Sequence, residues 1–290
     1  MPTRRMFLAS AAAAAAAPAS ALVVADTKGE KLTVSHGGIT LLEYRYSAAR
    51  PKPYVHPLCL ADGTPVSLDG PHDHVHHHGL MVAWSEVNGI DFWGEVNPAQ
   101  HGLIVHRKFE RAAGGSIAEI VAVNDWVAGG KTLLTERRTL RIPRPDSAGV
   151  FIDWTTELKA SGSPVRLAAG SHVYNGLGIR VVPSMDGGAV LNARGTNTIE
   201  AANGQQAEWC AYSGGSMGVA FFDHPSNPRH PNAFFVMNRA FGYMSAAPTF
   251  RAPFEFAPGG GIGFRWGVLT FRGAPDASAL DRQFKTWSNS

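Results

Sequence analysis

Short runs of alternating apolar and polar residues recur along the chain, separated by Gly, Pro, Asn and Asp. Such runs are typical of β-strands, because successive side chains of a strand point to opposite faces. The pattern predicts strands over residues 39–46, 54–60, 80–84, 116–126, 131–142, 150–158, 189–193, 207–212, 217–222, 233–238 and 263–271. Gly129 and Gly130 separate two of these runs and predict a hairpin turn.

The last residues of the chain show a helical pattern instead. Leu280, Phe284 and Trp287 follow Asp276 at positions i, i+4 and i+7, which places them on one helix face. We expect this helix to cap an edge or open end of the sheets. Many short strands with 32 glycines and 19 prolines predict an all-β fold, a large antiparallel β-sandwich with a short C-terminal helix. No linker or repeat interrupts residues 22–290, which we interpret as one domain.

The first residues have the pattern of an export signal. Arg4 and Arg5 precede an alanine-rich apolar stretch, and residues 19–21 offer a small-residue cleavage site. We therefore predict a twin-arginine signal peptide over residues 1–21 and a periplasmic or secreted mature protein; an ordinary Sec signal would change only the route. A bilayer span takes about 20 strongly apolar residues, so we expect no stable membrane insertion.

The charge balance argues against a nucleic-acid partner. The formal net charge is +3, of which Arg4 and Arg5 account for two, and 17% of the residues are charged. Nucleic-acid binders normally carry a basic patch. The two cysteines, Cys59 and Cys210, leave two alternatives open, a disulfide or a pair of buried thiols, because the sequence does not define the distance between them.

The strongest candidate for chemistry is a histidine-rich run. Five of the 12 histidines fall within residues 72–78, directly before the apolar run 80–84. Histidine titrates near neutral pH and is the commonest metal ligand. The cluster therefore indicates proton transfer, metal coordination or both, with a solvated polar loop as the simpler alternative.

The histidine run also takes part in a family resemblance. Residues 73–80, followed by 86–95 with the sequence EVNGIDFWGE, resemble motifs of the bacterial PmoA-like family, often described as related to methane oxygenase. Residues 222–231, 178–180 and 136–137 are similar to that family as well. The resemblance implies a supersandwich similar to galactose mutarotase folds, and with it a carbohydrate or glycoside as ligand. Methane oxidation in a membrane would need spanning segments, which we do not expect here.

The chain departs from that family at two places. His78 stands where the family commonly has an arginine, and residues 171–178 lack a Lys-Glu pair that is common in the family. If that glutamate is an acid or base in relatives, its task here would move to His172 or Tyr174.

Metal binding depends on how the histidine run is folded. In an extended chain His74, His76 and His78 would share one face, spread over about 13 Å. One divalent ion would then need a bend, or two of these histidines and a distant ligand. Candidates for the distant ligand are His172, His224 and Glu86. The spacing of the strong zinc motifs is absent, and so a single divalent metal ion remains an open alternative.

A metal-free site needs only a general acid and a general base. His77, close to Asp73 and His74, is the leading candidate for the base. The other catalytic candidates are His74, His172, Tyr174 and Glu86. The residues predicted to contact a substrate are Asp73, Trp84, Asp91, Trp93, Glu95, Glu136, Arg180 and His224. Core packing competes with sugar stacking for the two tryptophans, and turn formation competes with binding for Asp91 and Glu95.

Three functions remain open at this point. The first is an exported carbohydrate-active enzyme, a glycoside hydrolase, lyase or epimerase, whose acid/base centre includes the histidine run. The second is a metal-binding or redox protein of the periplasm, and the third is a noncatalytic sugar-binding module. The predicted export, the sandwich fold and the clustered acid/base residues favour the first.

Overall fold

A computed structural model of the protein describes residues 21–95, 101–170 and 173–290. The first strands in chain order are β1 (Leu22–Thr27), β2 (Lys31–His36), β3 (Ile39–Arg45), β4 (Tyr54–Leu58), β5 (Leu80–Ala83), β6 (Glu86–Val87), β7 (Leu103–Ala113), β8 (Ile117–Ala128), β9 (Lys131–Pro143) and β10 (Val150–Ala160). The later strands are β11 (Val165–Ala168), β12 (Gly176–Arg180), β13 (Ala189–Asn192), β14 (Trp209–Gly214), β15 (Met217–Asp223), β16 (Ala233–Met237), β17 (Tyr243–Ala247), β18 (Phe254–Phe256) and β19 (Gly261–Arg272). The helices are a 3-10 turn at Pro183–Met185, α1 (Ile199–Ala202) and α2 (Ala277–Ser288).

Two antiparallel sheets of eight strands each form the body of the molecule. The strand order is β1-β2-β3-β4-β5-β12-β17-β16 in the first sheet and β13-β14-β15-β19-β10-β9-β8-β7 in the second; β18-β11-β6 form a small third sheet. Apolar side chains of both large sheets build one continuous core between them, as expected when each sheet buries one face against the other. The predicted antiparallel β-sandwich with a short C-terminal helix is confirmed.

The alternation of apolar and polar residues locates the strands well. Each run predicted from it is a strand, and the ends differ by no more than two residues. The strands that the pattern misses are short, glycine-containing or polar: β12 reads GLGIR, and the edge strand β7 reads LIVHRKFERAA. Gly129 and Gly130 join β8 to β9 with φ of 54° and 74°. Positive φ at both central residues is what a type I′ hairpin requires, so the predicted turn is confirmed.

The C-terminal helix α2 begins where the sequence predicts. The Asp276 side chain accepts hydrogen bonds from the backbone N–H groups of Ser278 and Ala279, which caps the helix. Leu280 and Trp287 are buried in a second apolar cluster on the outer face of the second sheet. The expectation that this helix caps an edge or open end is therefore wrong. Strands β14, β15 and β19 are apolar on both faces, and α2 covers the outer one.

A buried ion pair lies inside the core. Arg138 donates from Nε to Oε1 of Glu136 at 2.8 Å and from Nη2 to Oε2 at 2.9 Å, and both side chains are fully buried. Glu136 also accepts from Trp126 at 3.1 Å and from Thr156 at 3.2 Å. Arg138 reaches the carbonyl oxygen of Pro53 at 2.9 Å, which connects the second sheet to the start of β4. The predicted substrate contact at Glu136 is thus placed in the core, where its acceptors are occupied.

Three further predictions concern the start of the chain, membrane insertion and the two cysteines. The predicted signal peptide, residues 1–21, lies outside the described residues except for Ala21. In the part of the chain that the structure describes, no helix is long and apolar enough to cross a membrane. Cys59 and Cys210 are buried free thiols, and burial raises the pKa of Cys59 to about 11.

Candidate functional site

The histidine run folds into two successive turns over the outer face of the first sheet. The His74 N–H bonds to the carbonyl of Pro71 and the His77 N–H to the carbonyl of His74, each at 3.0 Å. The Gly70 N–H closes the loop onto the His77 carbonyl at 2.9 Å. The run is therefore not extended, the case in which three of its histidines would share one face. Because the backbone turns, His74, His76 and His78 do not share a strand face.

A cavity of about 220 Å³ lies beside this loop. We call it the aromatic cavity, and it is lined by His74, His77, Trp93, Tyr174, Phe235, Met237, Phe241 and Tyr243. The strands supply these side chains by alternation: Phe234 and Val236 of β16 belong to the core, whereas Phe235 and Met237 lie on the opposite face. Gly178 of β12 makes room for the wall, because a Cβ atom there would overlap the hydroxyl of Tyr243.

His77 is held as a neutral imidazole. Nη1 of Arg180 lies 3.2 Å from Nδ1 of His77. A guanidinium group can only donate, so Nδ1 accepts and the ring proton of His77 resides on Nε2. Burial, together with the neighbouring His76, His74 and Arg180, lowers the pKa of His77 to about 2. His77 can therefore offer a ligand an N–H donor at neutral pH.

His74 is paired with a carboxylate. Its Nδ1 lies 3.0 Å from Oδ2 of Asp73, and Nη2 of Arg180 lies 3.3 Å from the same oxygen. Burial would raise the pKa of Asp73, but the hydrogen bonds with His74 and Arg180 and the charge of Arg180 outweigh it and lower that pKa to about 2. The ionised Asp73 orients Nδ1–H of His74 towards itself, which leaves Nε2 as the basic nitrogen. The Arg180 guanidinium is covered by the ring of Phe241, 3.7 Å away.

His78 is positively charged, whereas His77 is neutral. Its Nδ1 lies 2.7 Å from Oδ1 of Asp69, and its Nε2 lies 3.1 Å from Oε1 of Glu95. Burial lowers the pKa of His78, but the hydrogen bonds to the two carboxylates outweigh it, and the pKa is raised overall. Lys52 is buried beside them and bonds to Glu95 and to the Trp93 carbonyl, the latter at 2.9 Å. This charged cluster attaches the segment that carries Trp93 to the sheet.

The geometry does not suit the predicted metal site. Both ring nitrogens of His78 face carboxylates and donate to them, so this side chain has no lone pair for a cation. Nδ1 of His76 is buried without a hydrogen-bond partner, and burial lowers the pKa of His76 to about 4. Among the residues in the described ranges, no group of three or more His, Cys, Asp or Glu side chains could hold a metal ion. His172 lies outside those ranges.

Two more predicted residues belong to the cavity or support it. The ring of Tyr174 lies 4.5 Å from that of Trp93, and burial raises the pKa of Tyr174 to about 12. Asp91 accepts hydrogen bonds from the backbone N–H groups of Trp93 and Gly94, at 2.7 and 2.9 Å. Asp91 therefore forms the turn that presents Trp93.

Three predicted residues lie elsewhere. Trp84 is buried in the core and donates to Thr249 at 3.2 Å. Glu86 is paired with Arg166 in the small third sheet, at 2.5 Å. His224 contacts Trp287 of α2 at 5.0 Å between ring centroids. None of these three lines the aromatic cavity.

The sequence interpretation missed the residues that complete the site. Lys52 stands between Pro51 and Pro53, and a lysine in such a rigid apolar segment is a signal for burial that the motif search did not use. Asp69 precedes Gly70 and Pro71, and in this context an aspartate is typical of a turn rather than of a site. The missed residues of the cavity wall are Phe235, Met237, Phe241 and Tyr243. In sequence they are indistinguishable from core residues of a strand.

The comparison with known protein families gives a family without a known activity. Residues 31–285 match a family described as a family of unknown function (DUF6807). The chain belongs to this family. The PmoA-like resemblance is therefore wrong as a family assignment, since the match that spans the sandwich is to DUF6807. No curated protein matches the chain.

Solved structures similar to this DUF6807 chain include carbohydrate-active proteins. A heparan sulfate lyase HepC mutant from Pedobacter heparinus is 9% identical, with a TM-score of 0.45 over 86% of this chain and 36% of the lyase. A candidate aldose 1-epimerase from Escherichia coli K12 is 10% identical, with a TM-score of 0.40 over 87% of this chain and 99% of the epimerase. The chain thus spans about a third of the lyase it matches. With these identities and TM-scores, the likeness assigns no activity.

Proposed function

We propose that this protein is a carbohydrate-active enzyme that transfers a proton to or from a sugar bound in the aromatic cavity, as an epimerase or a lyase does. The observation that carries the proposal is the pairing of Asp73 with His74 on a cavity wall that also contains Tyr174. The export of the mature protein, predicted from residues 1–21, forms part of this proposal.

A sugar suits the chemistry of the wall. Aromatic rings pack on the apolar C–H face of a pyranose, while a few polar groups orient its hydroxyls. Trp93, Tyr174 and Phe235 form a contiguous set of rings, with centroid distances of 4.5 and 5.2 Å along the series. His77 adds an N–H donor beside them. The wall therefore combines an apolar platform with a fixed donor.

His74 is better suited than His77 to serve as the general base. Nδ1 of His77 accepts from Arg180, and its low pKa makes it a weak base. His74 instead donates from Nδ1 to an ionised carboxylate, which fixes its tautomer and leaves the lone pair on Nε2 to accept a proton. Its side chain is 36% exposed, which allows a ligand to reach it.

Tyr174 suits the role of the general acid. Burial raises the pKa of Tyr174 to about 12, so its hydroxyl keeps its proton at neutral pH and can donate it to a developing alkoxide. In a β-elimination, His74 would take the proton from the carbon and Tyr174 would protonate the leaving oxygen. In an epimerisation at the anomeric carbon, His74 would take the proton of the anomeric hydroxyl and Tyr174 would protonate the ring oxygen, so that the bond between the ring oxygen and C1 breaks and the ring opens to the aldehyde. Return of both protons would close the ring on either face.

Hydrolysis by two carboxylates is less compatible with this wall. Most glycoside hydrolases place an acid and a second carboxylate on either side of the bond. Among the described residues, no Asp or Glu lines the aromatic cavity. Asp73 lies beside the cavity rather than in its lining, and it bonds to His74 and Arg180.

Proton transfer to solvent provides the test. The purified protein would be incubated in D₂O with a panel of neutral and oxidised sugars and their glycosides, and ¹H NMR would detect deuterium exchange, new anomers or unsaturated products. We expect exchange or product with at least one sugar, and a loss of about 10²–10⁴-fold in His74→Asn, the usual contribution of a general base. His72→Asn is the matched control, because His72 is exposed on the same loop and does not line the cavity. Saturable sugar binding without turnover would contradict the proposed catalysis and would show that the protein is a noncatalytic binding module.

A further inference from the structure

We infer that the aromatic cavity selects an uncharged pyranose and discriminates against uronic acids and other anionic sugars. This inference rests on the proposed function and deepens it by naming the substrate class. It favours the epimerase over the lyase, because β-elimination from a sugar requires a carbon–hydrogen bond acidified by the carboxyl group of a uronic acid. It follows from where the charges around the cavity are located and from how each of them is neutralised.

The cavity wall itself carries no fixed charge. Its described lining consists of two imidazoles, one methionine and five aromatic rings. The undescribed residues 96–100 and 171–172 contain no Asp, Glu, Lys or Arg. A carboxylate brought into such a wall would lose its hydration without gaining a cationic partner, which is unfavourable.

Arg180 is a buried cation in contact with the wall. Its side chain is 5% exposed, its guanidinium stacks on the Phe241 ring at 3.7 Å, and Arg180 itself does not line the cavity. Its Nη atoms donate to His77 and Asp73. A uronate would have to displace Asp73 to reach it, which would leave that carboxylate without its ion pair.

Lys52 and His78 are neutralised in the same way. Lys52 is 1% exposed and bonds to Glu95. His78 is 3% exposed and lies between Asp69 and Glu95. The two positive charges are thus balanced by the carboxylates of Asp69 and Glu95, and neither Lys52 nor His78 lines the cavity.

Asp73 places an exposed negative charge beside the cavity, and the exposed cation of Arg239, in the segment between Met237 and Phe241, is paired with Glu200 at 3.8 Å. Asp73 retains 35% exposure of its side chain and is ionised, since its pKa is lowered to about 2. It lies directly beside His74, whose ring forms part of the cavity wall. An anionic sugar would meet repulsion from this carboxylate without a compensating cation. The cavity volume of about 220 Å³ is below the range of drug-sized pockets, which favours a single ring.

Matched sugar pairs test this inference. Binding of methyl glucoside against methyl glucuronide, and of methyl galactoside against methyl galacturonide, would be measured by isothermal titration calorimetry at pH 7. In at least one pair we expect the neutral member to bind about tenfold more tightly or better. A uronate that binds as tightly as its neutral partner, or more tightly, would overturn the inference and leave the proposed function intact. If no sugar of either kind binds, the proposed function fails and the inference fails with it.

A lysine introduced into the cavity wall provides an independent test. Met237→Lys should shift the relative affinity towards the uronate by about tenfold, because it provides the missing cation. Met237→Leu keeps the wall apolar and should retain the order of the two affinities. Thermal unfolding of both variants verifies folding, and Phe235→Lys replaces Met237→Lys if that variant does not fold. An unchanged preference in a folded lysine variant would show that wall charge does not determine selectivity, and would overturn the inference.

Discussion

Arg180 donates a hydrogen bond to Nδ1 of His77 across 3.2 Å, although the two residues are 103 positions apart in the chain. This contact fixes the tautomer of His77 and so distinguishes it from the other histidines of the run. His77 is a neutral donor, His78 is a cation between two carboxylates, and His74 is left as the base paired with Asp73. Different partners thus give three nearly adjacent histidines three different hydrogen-bonding roles.

The protonation state of His77 can be observed directly. We expect ¹⁵N NMR of the imidazoles to show His77 neutral, with its proton on Nε2, from pH 8 down to about pH 5, since burial lowers its pKa far below the usual value of about 6.5. In Arg180→Met the Nδ1 acceptor loses its donor, and the other tautomer should become populated. A His77 that titrates near pH 6.5 in the wild type would contradict the assigned hydrogen bond.

The charged cluster around His78 predicts an alkaline loss of stability. The folded-state pKa of His78 is raised, so its contribution is fully present below the unfolded pKa of about 6.5 and is lost as the pH rises through the folded pKa. The slope is at most about 1.4 kcal/mol per pH unit for one proton. Urea unfolding as a function of pH should show this loss of stability at alkaline pH in the wild type and not in His78→Gln. His72→Gln, on the same loop, should retain it.

The buried pair of Glu136 and Arg138 predicts a large stability effect. Glu136→Gln leaves Arg138 buried without its counter-charge, which should lower the free energy of unfolding by about 3–5 kcal/mol. Glu157→Gln removes an ion pair with Arg137 on the exposed face of the same sheet and should cost about 0–1 kcal/mol. Urea denaturation measures both. A stable Glu136→Gln variant that loses sugar binding would instead support the substrate contact predicted from the sequence.

Tyr174 as general acid predicts a specific kinetic change. Tyr174→Phe keeps the ring against Trp93 and removes the hydroxyl, so kcat should fall about 10²-fold or more while KM changes little. Tyr46→Phe, which removes a hydroxyl that bonds to Asp26 on the exposed surface, is the control. An equal fall of activity in both variants, or a rise in KM alone for Tyr174→Phe, would contradict the assigned role.

The strands and the site loop could be predicted from the sequence, but the side-chain roles could not. Alternation identifies a strand such as β10 because one face of it packs into the core while the other faces solvent. The density of histidines in residues 72–78 pointed to the candidate site for a chemical reason, since few other segments concentrate titratable groups. The conformation of that run was not predictable, because its turns depend on hydrogen bonds such as that of Gly70 to His77.

The cavity wall was hidden from sequence reasoning for a different reason. Phe241 and Tyr243 lie far from the histidine run in the chain and contact it only because β17 pairs with β12, which pairs with β5. An aromatic residue on the outer face of a sheet has the same local pattern as one in the core. Glu136 shows the converse. Its polarity suggested a ligand contact, but its partners are buried donors on the core-facing side of its own sheet.

The most direct test of the central claim is to locate the bound sugar. The rival location is a groove of about 660 Å³ on the outer face of the second sheet, where Trp287 lies among Arg137, Arg141 and Asp153. Sugar affinity would be measured by titration calorimetry for the wild type, Trp93→Leu and Trp287→Leu, with folding verified by urea unfolding. We predict that Trp93→Leu weakens binding about tenfold or more and that Trp287→Leu leaves it unchanged. Loss of binding in Trp287→Leu with full retention in Trp93→Leu would contradict the account, because the sugar would then occupy the other face of the sandwich.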